Sequence, residues 1–409
     1  MKILRILNRF NLGGPTYNVA YLTKYLTNEY ETLLIGGNCE DYEENSEYII
    51  KNLGITPIII PEMKRKIGYN DYLAYKKIKK IIQDFKPDIV HTHASKAGFL
   101  GRYAAHKCNV PVIVHTFHGH VFHSYFGKTK TFIFKIIERK LATYTDKIIA
   151  ISDTQKYELT NIHRIAKEEK FQVVALGFDL EKFINNKEIK RKKFRTLYMV
   201  DDDTIVISII GRLAAIKNHQ LFINAIADVK NKTTKQIRAF IVGDGELKNK
   251  LQEQAKSKNL SYSNIETVDY NVDIVFTSWI KDADFVFAGS DIAVLTSLNE
   301  GTPVSLIEAQ AADVPIVATR IGGIEDIVIE NKTALLCENN NLTDFSEKLL
   351  QLIENDEQRN EMKQYGKNFV KNKFSYERLV KDMQTLYKTL LSKKKIKKNK
   401  KKFFLLKKR

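Results

Sequence analysis

No stretch of this chain approaches the roughly 20 consecutive apolar residues that a membrane-spanning helix needs, which argues against an integral membrane protein. The opening Met1 to Arg9 sets basic residues inside its apolar run and offers no small-residue cleavage site, unlike a secretory leader. Cysteine is scarce: Cys39, Cys108 and Cys337 are scattered, odd in number and without metal-ligand spacing. They read as reduced thiols of a cytoplasmic protein, not as a disulfide framework. Seven prolines and nineteen glycines in 409 residues exclude a collagen-like or disordered design.

What is present suits two globular domains. Hydrophobic residues make up 44% and charged residues 28%, enough apolar material for two sizeable cores. The formal charge of +18 is unevenly placed: Lys393 to Arg409 carries eleven Lys and Arg and no acid, leaving +7 for the rest. Within that tail Phe403-Phe404-Leu405-Leu406 sits between basic blocks, a combination that favours an anionic membrane surface. A cytoplasmic protein held peripherally on the inner face of the plasma membrane is expected, with no specific nucleic-acid partner.

Short β-branched runs alternate with helical patterns through both halves, which predicts parallel sheets covered on both faces. Strands are expected at 2–7, 32–36, 57–60, 88–92, 111–116, 147–151 and 172–175, then at 204–210, 237–242, 273–277, 292–296, 315–318 and 334–336. The charge-rich, poorly periodic stretch 181–200 reads as a linker between an N-terminal domain (1–180) and a C-terminal one (201–374). An amphipathic helix over 375–392 is expected to pack back across the domains, followed by the basic tail 393–409.

The most informative segment runs from Ser297 to Ala309. It follows the apolar Ile292-Ala293-Val294-Leu295 and opens a helix, with Thr302 suited to the N-cap and Pro303 to the first helical position. Gly301 lets a ligand approach the backbone, and the free N–H groups of Gly301, Thr302 and Val304, around Pro303 at this helix start, suit an anion such as a diphosphate. Glu300 and Glu308 flank that anion site; carboxylates there make poor phosphate ligands and good acceptors for sugar hydroxyls. An ordinary surface helix bearing two acids is the competing account.

Glu300 and Glu308, with seven residues between them, resemble the Glu-x7-Glu motif of glycosyltransferase family 4. The resemblance extends over nearly the whole chain. Gly211-Arg212-Leu213-Ala214-Ala215-Ile216-Lys217-Asn218 is similar to that family's Gly-Arg-Leu segment, and Ile241-Val242-Gly243-Asp244-Gly245 to its strand-ending Gly-Asp-Gly. Ala150-Ile151-Ser152, Ser290-Asp291-Ile292 and Ala318-Thr319-Arg320-Ile321-Gly322-Gly323 match in order and spacing.

The resemblance implies a GT-B fold, α/β throughout, with two Rossmann-like domains facing each other across a cleft. It implies a retaining, metal-independent transfer from a nucleotide diphosphate sugar, with UDP favoured over GDP and no cofactor. Arg212 and Lys217 would supply fixed positive charge to the diphosphate in place of a cation. Glu300 would contact donor-sugar hydroxyls and Glu308 the ribose. Gly211 and Gly243 would line the donor site, and Ser278 and Trp279 would lie near the base. The acceptor would be a glycan, expected to be lipid-linked in a bacterial surface-polysaccharide pathway.

In the N-terminal half, Gly13-Gly14 follows the first strand and can bring backbone N–H groups near phosphate or acceptor. Six of nine histidines crowd into His91, His93, His115, His118, His120 and His123. His118-Gly119, after an apolar strand, is similar to the family's His-Gly, whose histidine sits at the reacting sugar. A zinc site is disfavoured, since no Cys or carboxylate pattern accompanies these histidines. His91 and His93 are expected to be structural, with one facing the core. Asp201-Asp202-Asp203 reads as a solvated turn, and Gly243-Asp244-Gly245 lacks the third glycine of a dinucleotide fingerprint.

Three departures from the family pattern stand out: Ser278 where glycine is frequent, Glu325 where proline is frequent, and a long segment from Ser261 to Asp273. Two rival functions remain open, a sugar-nucleotide epimerase of the same shape and a non-enzymatic membrane- or nucleic-acid-binding scaffold.

Overall fold

A computed structural model describes residues 1–10, 14–26, 29–39, 47–119, 128–264 and 271–406. The chain divides into two compact units: Met1–Phe178 with Phe374–Arg409, and Asp179–Lys373.

In the first unit, β1 (Lys2–Arg9), β2 (Glu31–Gly37), β3 (Ile58–Ile59), β4 (Ile89–His93), β5 (Val112–Phe117), β6 (Lys147–Ala150) and β7 (Phe171–Val173) form one sheet. Its order is β3-β2-β1-β4-β5-β6-β7, every pairing parallel. Parallel strands buried on both faces must be apolar on both sides. Accordingly Ile3 and Ile89 enter one core with Leu22 and Val112, while Leu4, Ile6 and Val90 enter another with Ile78 and Leu100.

The second unit repeats the plan with β8 (Ile205–Ile210), β9 (Ile237–Val242), β10 (Tyr262–Asn264), β11 (Ile274–Ser278), β12 (Ile292–Leu295), β13 (Ile316–Thr319) and β14 (Ala334–Cys337). The order is β10-β11-β9-β8-β12-β13-β14, again all parallel. Successive residues of β8 part to opposite faces: Ile205, Ile207 and Ile209 join one core, Val206 the other. Thirteen strands fall where the sequence places them. The short β10 does not figure in that reading; it lies inside the long Ser261–Asp273 segment, of which 265–270 fall outside the described residues.

Residues 181–200 are not a linker. They form helices Glu181–Ile184 and Lys187–Leu197, both part of the second unit. The reason is one apolar stripe among many charges: Phe194, fully buried, packs on Tyr198, Phe240 and Phe285. Gly289 makes room for it, since a Cβ there would stand 2.1 Å from the Phe194 ring. Arg191 and Arg195 then pin the second helix to Asp291 at 2.8 and 2.6 Å.

The terminal helix runs Tyr376–Leu406, so it extends well into the stretch expected as a separate tail. Its buried stripe, Leu379, Val380, Met383, Leu386 and Tyr387, completes the core around Ile3 and Ile89 in the first unit. The Phe374 carbonyl accepts from Phe178 N–H at 2.8 Å, and Phe178 O accepts from Tyr376 N–H at 3.1 Å, anchoring the returning chain. Among the described residues no helix is long and apolar enough to cross a membrane.

Candidate functional site

Each sheet has a switch point, where consecutive connections leave in opposite directions and α/β proteins bind ligands beyond the strands' carboxyl ends. In the second unit it lies between β8 and β12. The loop after β8 ends in a 3-10 turn, Ala215–Lys217, and is strapped to the loop after β12. Leu298 N–H donates to Ile216 O at 2.8 Å, and Thr296 Oγ1 to Lys217 O at 3.0 Å. That strapping brings two residues 83 apart in sequence into contact: the Lys217 ammonium donates to Glu300 Oε1. Ser297 Oγ donates to the same oxygen at 2.7 Å. Ser297 and its partner Thr319, whose hydroxyl reaches Ser297 O at 2.8 Å, lie within the matching segments, but nothing in the sequence assigned either a role at the site.

Two glycine approaches shape this edge. A Cβ on Gly322, whose φ is +49°, or on Gly323 would stand 2.0 and 1.9 Å from the carbonyls of Glu300 and Gly301. A Cβ on Gly243 (φ +144°) would meet Gly211 O at 2.0 Å, so only glycine lets the β9 turn lie against the β8 turn. A Cβ on Gly211 would make ordinary contact with the stem of Lys217, 3.8 Å from its Cδ. At Gly301 a side chain would meet nothing within 4 Å; the space beside this backbone is open.

The helix after Glu300 starts one residue later than expected. It spans Val304–Ala311, with Pro303 at the cap position in an extended conformation (ψ 105°) and no side-chain cap bond. Thr302 therefore lies outside the cap. Glu308 is the fifth of the eight residues of this short helix, and desolvation raises its carboxyl to about 7, against a lowering pull from Lys182. Arg212 does not join the Lys217–Glu300 pair: its guanidinium is exposed and meets Glu246 Oε2 at 3.1 Å.

Ser278, at the end of β11, has φ +55°, a left-handed conformation that explains why glycine suits this position. Its hydroxyl donates to Asp244 Oδ2 at 3.0 Å and accepts from Lys248 Nζ at 3.0 Å, and its carbonyl accepts from Gly243 N–H at 2.9 Å. Burial raises the Asp244 carboxyl, but the Gly245 N–H bond to its Oδ1 at 2.8 Å, helped by Ser278 and Lys248, outweighs this and holds it below its ordinary range. Trp279, next in the chain, is 45% exposed.

In the first unit the switch point lies between β1 and β4. Gly13 falls outside the described residues, as do His120 and His123; Gly14 opens the helix Gly14–Tyr25. At the carboxyl ends of β4 and β5 four histidines gather. His91 and His93, two apart on one strand, share a face and are both fully buried, with rings 4.0 Å apart; the expectation that only one turns inward fails on the period of two. His91 Nδ1 lies 2.6 Å from Tyr387 Oη and its Nε2 2.7 Å from Thr116 Oγ1. His115 Nδ1 lies 2.8 Å from Thr92 Oγ1. His118 Nε2 lies 3.0 Å from His93 Nδ1, while His118 Nδ1 and His93 Nε2 are buried without a partner among the described residues.

Desolvation holds all four imidazoles neutral. His91, His93 and His115 are lowered well below the ordinary value, and His118 is lowered to about 3. Among the described residues no group of three or more His, Cys, Asp or Glu is arranged to hold a metal ion. One edge therefore offers charge, and the other offers neutral ring nitrogens.

Comparison with known proteins adds a family to this geometry. A family model described as "Glycosyl transferases group 1" matches residues 189–369, and one described as "Glycosyltransferase Family 4" matches residues 12–182. The UDP-Gal:alpha-D-GlcNAc-diphosphoundecaprenol alpha-1,3-galactosyltransferase of Escherichia coli is 30% identical over 338 residues, covering 81% of this chain and 84% of the relative. An uncharacterized glycosyltransferase of Methanocaldococcus jannaschii is 31% identical over 390 residues, covering 93% and 95%. Among solved structures, Anabaena Alr3699/HepE in complex with UDP superposes with TM-score 0.79 at 17% identity, over 95% of this chain and 100% of that one.

Proposed function

Because this chain belongs to glycosyltransferase family 4 and is a glycosyltransferase of the GT-B type, we propose that it moves a sugar from a UDP-sugar to a hydroxyl of a lipid-linked glycan, with retention and without a metal. The observation that carries the reading is the strapped pair of Lys217 and Glu300 at the carboxyl ends of β8 and β12, beside the open backbone at Gly301.

In this reading the donor diphosphate lies at Gly301, Thr302, Pro303 and Val304, with Gly211 and Gly243 behind it. Lys217 turns from Glu300 to the diphosphate as it arrives, and exposed Arg212 leaves Glu246 for the same anion. Glu300, freed from the ammonium and still held by Ser297, accepts hydroxyls of the donor sugar. Glu308 accepts the ribose hydroxyls, and Ser278 and Trp279 bound the base. The acceptor hydroxyl forms its bond to the anomeric carbon on the face from which the diphosphate leaves. The departing diphosphate oxygen takes the hydroxyl's proton, so no carboxylate nucleophile is required. Lys217, Arg212 and the backbone amides stabilise the charge that develops there. His118 orients a hydroxyl of the reacting sugar, and the Gly13-Gly14 pair would offer backbone N–H groups to the donor phosphate or the acceptor.

The UDP in the Anabaena complex and the UDP-Gal in the E. coli relative's name support the donor class. The same name supports an acceptor carrying a diphosphate-linked lipid. Lys393 to Arg409 supplies the charge for peripheral contact with an anionic membrane.

The test is transfer from UDP-galactose, UDP-glucose and UDP-N-acetylglucosamine to synthetic lipid-diphosphate N-acetylglucosamine, with excess EDTA, the product anomer read by proton NMR. An α-linked product from an α-linked donor, formed at full rate in EDTA, is the expected result. A β-linked product, loss of activity in EDTA, or epimerised donor without acceptor would contradict it.

A further inference from the structure

His118 enters the functional reading, but nothing yet says which of its nitrogens faces a ligand or which carries the proton. Its neighbour decides both. His118 Nε2 is spent on His93 Nδ1 at 3.0 Å, and the two rings lie 5.3 Å apart at 25°. Only Nδ1 of His118 is left, and it has no partner among the described residues. A buried polar atom without a partner calls for an explanation, and a ligand bound beyond the strands' carboxyl ends supplies one.

The proton's position follows from what each arrangement leaves unsatisfied. Two neutral imidazoles share one proton across the 3.0 Å contact, so one donates and the other accepts. If His118 donated from Nε2, His93 would carry its own proton on Nε2, which is buried without a partner in a fully buried ring. A ligand oxygen at His118 would not cure that orphan N–H, because it lies on the fully buried ring of His93. If His93 donates from Nδ1, its Nε2 is left as a bare lone pair, and the N–H needing a partner is Nδ1–H of His118. Buried N–H groups without partners are rarer and more costly than unfilled lone pairs. The second arrangement also becomes satisfied when a ligand oxygen arrives.

We infer that His93 is a positioning residue: it donates from Nδ1 to His118 Nε2 and so holds His118 as the Nδ1–H tautomer, a hydrogen-bond donor aimed at an oxygen of the bound sugar. Tautomer control by the bond on the opposite ring nitrogen is a general property of histidine. The residues behind His93 keep this arrangement neutral. His91 is held between Tyr387 Oη and Thr116 Oγ1, and the Arg5 guanidinium, 3.2 Å from His91 Nδ1, opposes any second positive charge nearby. A protonated His118 would instead need an acceptor at Nε2, and His93 Nδ1 would have to become one.

The inference rests on the proposed role of His118 at the sugar, yet its first test does not depend on turnover. Long-range nitrogen–proton correlation NMR on histidine-labelled wild-type protein at pH 7.5 reports which nitrogen of His118 is protonated. The expected spectrum shows a single tautomer, with Nδ1 protonated and Nε2 bare. Protonation at Nε2, or an even mixture, would overturn the inference whatever the activity. His93→Phe should lose the single-tautomer signature and lower kcat by about tenfold, the worth of one hydrogen bond, with donor KM little changed. His93→Asn, which can present an N–H at the same place, should keep the tautomer and restore most of kcat. A wild-type tautomer in His93→Phe would also contradict the positioning role. His118→Ala separates the two claims: undiminished transfer there removes His118 from the functional reading and leaves the tautomer result standing.

Discussion

The two units wind seven parallel strands about the same kind of switch point, between β1 and β4 in one and between β8 and β12 in the other. They furnish those edges with opposite chemistry. The first gathers His91, His93, His115 and His118, all kept neutral by burial. The second gathers Lys217 and Glu300 in direct contact, with Glu308 and the exposed Arg212 nearby in sequence. The difference teaches that backbone plan alone does not assign a ligand. A charged edge suits a diphosphate leaving group, and a neutral edge suits hydroxyls that must be oriented but not ionised.

Acid should break the symmetry most visibly. A histidine whose folded value lies below its unfolded 6.5 costs stability as pH falls through 6.5, because only the unfolded chain takes up the proton. The loss continues until the folded value is reached, about 3 for His118 and about 4 for His219. At pH 5 His118 and His219 each cost about 2 kcal/mol, and His91, His93 and His115 act in the same direction. Four lie in the first unit against His219 in the second, so the first unit should open first between pH 6.5 and 5. Hydrogen exchange on peptides covering β4 and β5, set against β8 and β9, would read this. Equal protection in both units would contradict it.

Next in size is the charged edge. Lys217→Ala should raise the transfer barrier by about 3 kcal/mol, roughly a hundredfold or more in kcat. Unfolding in urea should change little, since the ammonium is partly exposed and its partner keeps the Ser297 bond. A large fall in the urea midpoint would make Lys217 structural instead.

Smaller again is the effect of Glu308. With its carboxyl near 7, it is largely protonated at pH 6 and ionised at pH 8. Ribose hydroxyls donate best to the ionised form, so UDP affinity should rise about tenfold from pH 6 to pH 8. Glu308→Gln should flatten that profile, which calorimetry at the two pH values would show.

The smallest expected effect is at Ser278. Ser278→Ala keeps the left-handed strain and loses the bonds to Asp244 and Lys248, costing about 1 kcal/mol. Ser278→Gly loses the same bonds but sheds the strain, so it should fall within about 0.5 kcal/mol of the parent. Thermal unfolding of both variants checks the order.

Much of the fold was legible because strands buried on both faces leave apolar runs that no loop imitates. The failures share a cause. In Lys187–Leu197 a single buried aromatic, Phe194, outweighs a face of lysines and arginines that reads as loop. In β4 a period of two places His91 and His93 together, and only the sheet neighbours show that both faces are covered. Of the motif residues named by resemblance, Lys217 and Glu300 meet in the structure, whereas Arg212 lies on Glu246 instead of beside Lys217. Ser297, the Asp244–Lys248–Ser278 cluster and the His93–His118 contact were not readable. Each depends on where separate loops meet, and hydroxyls or lone histidines carry no pattern along the chain.

The account's central claim is that the second unit's charged edge, not the first unit's neutral one, binds the nucleotide. Titration calorimetry of UDP into the wild type, Lys217→Ala and His118→Ala tests it most directly. The account predicts UDP binding by the wild type, at least tenfold weaker binding by Lys217→Ala, and unchanged binding by His118→Ala. Loss of UDP affinity in His118→Ala with full affinity in Lys217→Ala would contradict it.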